Sequence, residues 1–163
     1  NFLRSTSTTF DRIKKILNAA IWAPTSCNRH ALRYIVITNS ELKDFIATIA
    51  KAGPYQSYIS ETSVLILVVV DPRFYNPKEV CFQGLDAGAA IENMILAASS
   101  LGIGSCWIGF INMLSNKNEI RLREEIKIAD HEDICSLVVF GYSDGVPYPP
   151  ARPPLEEVTD FFL

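Results

Sequence analysis

Residues Val64–Val70 read VLILVVV, apolar at all seven positions. A strand with one wet face alternates apolar and polar residues, so this run is expected to lie inside a sheet covered on both faces. Such a sheet needs helical layers, and the flanking sequence supplies them. Residues Thr8–Trp22 place Phe10, Ile13, Ile16, Leu17, Ala20 and Ile21 on one helical face, with Thr8 or Thr9 as N-cap and Asp11 in the first turn, and Pro24 ends the run. Ser40–Ala52 is a second amphipathic helix, capped by Ser40 and stopped by Gly53, and Ser115–Ile126 is a charged surface helix. Leu32–Thr38 and Ile134–Gly141 read as further strands by their β-branched and aromatic content.

The stretch Leu85–Leu101 constrains the packing further. Its apolar residues leave only a narrow polar stripe around Asp86, Glu92, Asn93 and Ser100. A helix apolar nearly all round belongs in the middle of a fold or at a subunit interface. Gly102 stops it, and Ile103–Ile111 follows as an apolar, glycine-containing connection. The order helix, strand, helix, strand, helix, connection, helix, strand predicts a mixed α/β or α+β layer structure around one sheet. With 163 residues the chain is one domain's worth, and its 48% apolar content supports a core without metal or disulfide staples. It opens on Asn1, and a piece cut from a longer chain is one expectation. Residues 146–163 carry five of the nine prolines yet finish on Phe161, Phe162 and Leu163. This reads as an extended arm wrapped over the body or over a second subunit.

A net charge of −3 offers no basic field, so nucleic acid and anionic membranes are not expected partners. No apolar run is long enough to span a bilayer and none has the build of a signal peptide, and thiols expected to be reduced point to the cytoplasm. Cys27, Cys81, Cys106 and Cys135 form no C-x-x-C pair and have no histidine in zinc spacing, so no metal site is expected. They are expected to be reduced, buried small hydrophobes.

The chain has no G-x-S-x-G elbow, P-loop, H-E-x-x-H or G-x-G-x-x-G after a strand. His131 lies in a run of charges and reads as a solvated loop residue. Three segments concentrate turn residues and polar groups at element ends. The first is Ala23 to His30 (A-P-T-S-C-N-R-H), able either to hydrogen-bond a heterocycle or sugar-like chain or to serve as local capping. The second is Gly104 to Phe110, where glycines around Trp107 either admit a flat ligand or close-pack a core indole. The third runs from Gly141 to Arg152, whose guanidinium on a stiffened segment suits either a phosphate or a surface ion pair.

In this order and spacing the three segments resemble the FMN-dependent nitroreductase family. A-P-T-S-C-N-R-H is similar to that family's A-P-S-x-x-N-x-Q loop. Asp86-x-x-x-Ala90-x-x-Asn93 through Leu101-Gly102-Ile103-Gly104-Ser105-Cys106-Trp107-Ile108-Gly109 looks like its central helix and flavin-side segment, and Gly141-Tyr142-Ser143 through Arg152-Pro153-Pro154-Leu155-Glu156-Glu157 like its closing pattern. The resemblance implies a single α+β domain with a mostly antiparallel sheet flanked by helices, a long buried central helix and an extended C-terminal arm. It implies a homodimer with FMN at the interface, reduced by NAD(P)H and passing hydride from flavin N5 to a small nitroaromatic- or quinone-like acceptor. Carried over by position, Pro24, Thr25, Ser26, Asn28 and His30 would meet the flavin and its ribityl chain, Trp107, Ile108 and Gly109 would lie beside the ring, and Arg152 would bind the phosphate.

Two departures stand out. The family's N-terminal arginine loop is represented here only by Leu3-Arg4-Ser5-Thr6-Ser7. Either Arg4 and Ser5 reach the phosphate over a shortened loop, or an upstream segment completes that half of the site. His30 stands where the family has Gln, and Leu32 where it often has Trp, so the pocket wall differs. An alternative expectation is a flavin-binding or dimerisation module with little or no reductase activity.

Overall fold

The computed structural model describes residues 10–50, 56–109, 116–143, 145 and 148–162. Its centre is a four-stranded sheet built from β1 (Leu32–Ile37), β2 (Val64–Val70), β3 (Gly104–Ile108) and β4 (Asp133–Gly141) in the order β1-β2-β4-β3. Every neighbouring pair is antiparallel. The helices are α1 (Phe10–Ile21), α2 (Ser40–Ala50), α3 (Gln56–Ser60), α4 (Val80–Ser100) and α5 (Asn116–Ile126).

As its composition requires, β2 is interior and buried at all seven positions. Leu65, Leu67 and Val69 enter one core with residues of α2, α3 and α5, whereas Val64, Ile66 and Val68 enter a second core with α1 and α4. The period-two alternation of a strand thus feeds two apolar layers from one run. The result is a three-layer α+β domain.

Several local expectations change. The stretch Gly104–Ile108, expected as a connection, is the edge strand β3, paired from Gly104 opposite Gly141 to Ile108 opposite Leu137. Its partial burial explains why no clean alternation marked it. The short α3 was not anticipated. The cap of α2 is Asn39 rather than Ser40, since Asn39 Oδ1 accepts from the Leu42 N–H at 2.8 Å. Thr8, Thr9 and Gly53 lie outside the described residues. α4 begins before Leu85, at Val80, behind an Asn76/Glu79 capping box. Asp86, expected on a polar stripe, is buried. His131 is half-exposed but has a neighbour, its Nε2 lying 3.7 Å from Asp71.

The cysteines also depart from expectation: Cys27 and Cys81 are exposed, and Cys106 and Cys135 only partly buried. All four are free thiols. Burial, with the charge of Asp133 second, pushes the Cys135 thiol up to about 11. At pH 8 only about one molecule in a thousand would then carry the thiolate, the reactive form. Cys135 should therefore stay unmodified by a thiol reagent at pH 8 until the protein is unfolded. Prompt labelling of that residue, read by peptide mass spectrometry, would contradict this.

Among the described residues no helix is long and apolar enough to cross a membrane, and no cluster could hold a metal ion. Residues 148–162 form no helix or strand apart from one turn at Leu155–Glu157, and nearly all of them are exposed. Tyr148, Phe161 and Phe162 on this arm face solvent in the single chain.

Candidate functional site

The loop joining α1 to β1 has an unusual backbone. Cys27, Asn28 and His30 have φ of 52, 57 and 50°, the left-handed region that asparagine tolerates but other non-glycine residues rarely adopt. Residues held there cost of order 1–3 kcal/mol each and persist only where their surroundings impose the conformation. The surroundings here are residues near the start of α4. The Ser26 backbone N–H and hydroxyl both donate to Asp86 Oδ1, at 2.9 and 2.8 Å, and the Tyr75 hydroxyl donates to Oδ2 at 2.7 Å. The buried carboxylate is thus satisfied by three donors. Burial and the hydrogen bond to Asp86 raise the Tyr75 hydroxyl well above the usual phenol range. Arg29 Nη2 pairs with Glu79 Oε2 at 2.8 Å while its guanidinium lies over the Tyr75 ring, 5.1 Å from the centroid. Thr25 Oγ1 accepts from the His30 N–H at 3.2 Å.

These bonds sort the predicted loop residues. Ser26 is committed inward, with both donors on Asp86. Pro24, Asn28 and His30 are exposed, and Thr25 is half-buried. A cavity of about 150 Å³ opens between the end of α1 and the start of β1, with Thr25, His30 and Tyr34 on its wall.

On β3, Trp107 points to the α4 side of the sheet. Its indole N–H donates to Ser136 Oγ, and the Ser136 hydroxyl donates to the Ile108 carbonyl at 3.2 Å. A Cβ on Gly88 would sit 3.5 Å from the ring, an ordinary van der Waals contact, so the indole lies against this part of the helix. Trp107 remains 48% exposed, a flat apolar wall fixed by its polar edge. It is not the core indole that one reading of the sequence allowed. Ile108, predicted beside the ring, is buried in the opposite core, because neighbouring residues of a strand face opposite ways. Gly109 is exposed.

The loop and the indole do not meet in one chain. Asp86, which holds Ser26, and Gly88, which supports Trp107, are two residues apart on α4, about 200° around the helix. Arg152 is brought to neither. It lies exposed on the arm, with Nη1 donating to the Pro150 and Ala151 carbonyls at 3.2 and 3.4 Å. Arg4 and Ser5 lie outside the described residues. Asp86 and Arg29 stood within the quoted segments but were given no role from sequence, and Tyr75 and Glu79 stood outside them, although an acid inside an otherwise apolar helix was a signal available there.

The double-faced antiparallel sheet and the polar loop tied to the helix over it define a class, the three-layer α+β domains with a long helix across the sheet. Within that class the chain belongs to the nitroreductase family, whose family model matches residues 1–57 and 52–142. It is 33% identical over 131 residues to an Archaeoglobus fulgidus protein assigned as an NADH dehydrogenase/NAD(P)H nitroreductase, covering 80% of this chain and 71% of that one. It is 31% identical over 130 residues to a Methanothermobacter thermautotrophicus protein of the same assignment, covering 80% of this chain and 64% of that one. Among solved structures, a Desulfovibrio desulfuricans nitroreductase in complex with FMN matches with a TM-score of 0.79 and 25% identity, over 97% of this chain and 88% of that one.

Proposed function

We propose that this chain is an FMN-dependent NAD(P)H oxidoreductase of the nitroreductase type, acting in the cytoplasm as a homodimer on a small, flat electron acceptor such as a nitroaromatic or quinone. The observation that carries the reading is the placement of the polar loop and Trp107 on opposite sides of α4. One chain then offers two half-walls, and a second copy would bring the loop of one against the indole of the other. The exposed Val80, Phe82, Leu85 and Leu96 of α4 support this, since apolar groups on one helix are normally covered.

The residues present fit FMN. A flat ring suits the half-exposed face of Trp107, uncharged polar groups on Thr25 and Asn28 suit its heteroatoms and ribityl hydroxyls, and Arg152 carries a cation for its phosphate. When bound, FMN supplies hydride transfer in both directions, from NAD(P)H and on to the acceptor, so the chain need provide no nucleophile. Trp107, locked by Ser136, orients and dries one side of the site. The loop sets the hydrogen-bonding edge, and Arg152 anchors the distal end by charge.

Titrating FMN into flavin-free protein should give a yellow complex that NADH or NADPH bleaches under anaerobic conditions. A complex that forms but does not bleach would favour the module alternative, and a protein that takes up no FMN would end the oxidoreductase reading and leave only a dimerisation module. Arg152→Ala is expected to weaken FMN binding roughly tenfold to a hundredfold through lost charge-assisted hydrogen bonds worth about 1.5–3 kcal/mol. Unchanged affinity, by flavin fluorescence quenching, would mark Arg152 as a surface group.

A further inference from the structure

We infer that Asp86 and Glu79, two carboxylates flanking the start of α4, clamp the turn from Thr25 to His30 in the conformation that meets the cofactor, with Asp86 the principal positioning residue. The inference rests on the reading of that loop as flavin-facing. A turn carrying three left-handed non-glycine residues relaxes unless it is held on both sides. Here the ties bracket the strained pair Cys27 and Asn28. Ser26, immediately before it, donates twice to Asp86, and Arg29, immediately after it, pairs with Glu79. The ties are joined by Tyr75, whose hydroxyl donates to Asp86 and whose ring lies under the Arg29 guanidinium. Glu79 is fixed in turn by the Asn76 N–H at 2.9 Å.

The chemistry of the clamp calls for a carboxylate at position 86. Both of its oxygens accept, one from Ser26 twice and the other from Tyr75. Asparagine has the same shape but only one accepting atom. In Asp86→Asn the amide oxygen can keep the Ser26 donors only if the Tyr75 hydroxyl turns to accept from the NH2 group, and all three bonds lose their charge-assisted strength, so the tie weakens without a change of volume. The exposed side chains of Pro24, Asn28 and His30 then lose their fixed direction, although none of them touches Asp86. This separates positioning from contact, since Asp86 is 4% exposed and its bonds are made within the protein.

Two readouts test the clamp in the full chain: backbone hydrogen exchange over residues 25–30, and the dissociation constant for FMN by fluorescence quenching. In Asp86→Asn the exchange should rise at least about tenfold in that segment and stay unchanged in β2, with FMN held about tenfold or more weakly. Ser26→Ala should act in the same direction, and the double variant should be little worse than Asp86→Asn alone, because the two residues share one tie. Wild-type exchange in Asp86→Asn, equal FMN affinity in wild type and variant, or fully additive effects in the double variant would overturn the clamp. Should Asp86→Asn fail to fold, Ser26→Ala and Tyr75→Phe, which keep the carboxylate, decide by the same measurements. If the wild type takes up no FMN, the flavin reading fails while the exchange data still decide for or against the clamp.

Discussion

Phe140→Ala is expected to lower the free energy of unfolding by about 3–5 kcal/mol, the range for truncating a fully buried phenylalanine. The residue sits on β4 in the core shared by α1 and α4, only 1% exposed, among Ile66, Ala90 and Met94. Its neighbours belong to strands and helices that cannot collapse together without breaking pairing, so most of the cavity would remain. Its backbone is anchored as well, the carbonyl accepting from the buried Thr62 hydroxyl at 2.7 Å. Against a typical total of about 5–15 kcal/mol, such a loss takes a large part of the molecule's stability. Denaturant unfolding followed by circular dichroism measures it. Phe74→Ala, at a residue 56% exposed, is the comparison and should cost under about 1 kcal/mol. Equal costs for the two would contradict the core assignment.

The second large effect concerns α4. Leu85 and Leu96 are 63% and 60% exposed and stand eleven residues apart, close to three full helical turns, so they share one side with Ala89. In the homodimer proposed above, a two-fold axis would present every such residue twice. Removing two leucines from that contact forfeits about 3–6 kcal/mol per pair of side chains. The double variant Leu85→Glu with Leu96→Glu, which removes one such pair from each copy, should thus weaken association by about four powers of ten or more and yield monomers at micromolar concentration. Sedimentation equilibrium is the measurement, with bound FMN recorded on the same samples. Flavin occupancy should fall with the dimer. A monomeric wild type, or a dimeric variant, would remove α4 from the interface.

What could be read from the amino acids, and what could not, follows from where each signal resides. β2 and α4 were legible because their apolar residues repeat within the element itself. β3 was not, because it opens on Gly104 and is followed by Gly109, and an edge strand is covered on less of its surface, leaving no alternation to detect. The three site segments were visible as departures from periodic structure. The left-handed backbone at Cys27 and His30 was invisible, since glycine or asparagine is the usual marker of such a conformation. Nor could Asp86 be separated from a solvated acid, because Ser26, the partner that permits its burial, stands sixty positions earlier. The cysteines misled in the opposite sense: Cys27 lies in the polar loop after α1, and Cys81 lies at the start of α4 between Val80 and Phe82, which are exposed themselves, so an apolar neighbour in sequence gave no burial.

The sheet does more than hold the site in place. Because β2 sends alternate residues into two cores, it divides the molecule into compartments whose interior side chains do not meet across it. A packing change in the half with α1, α4 and the tied loop, where the proposed site lies, therefore reaches the half built on α2, α3 and α5 only through the strands themselves.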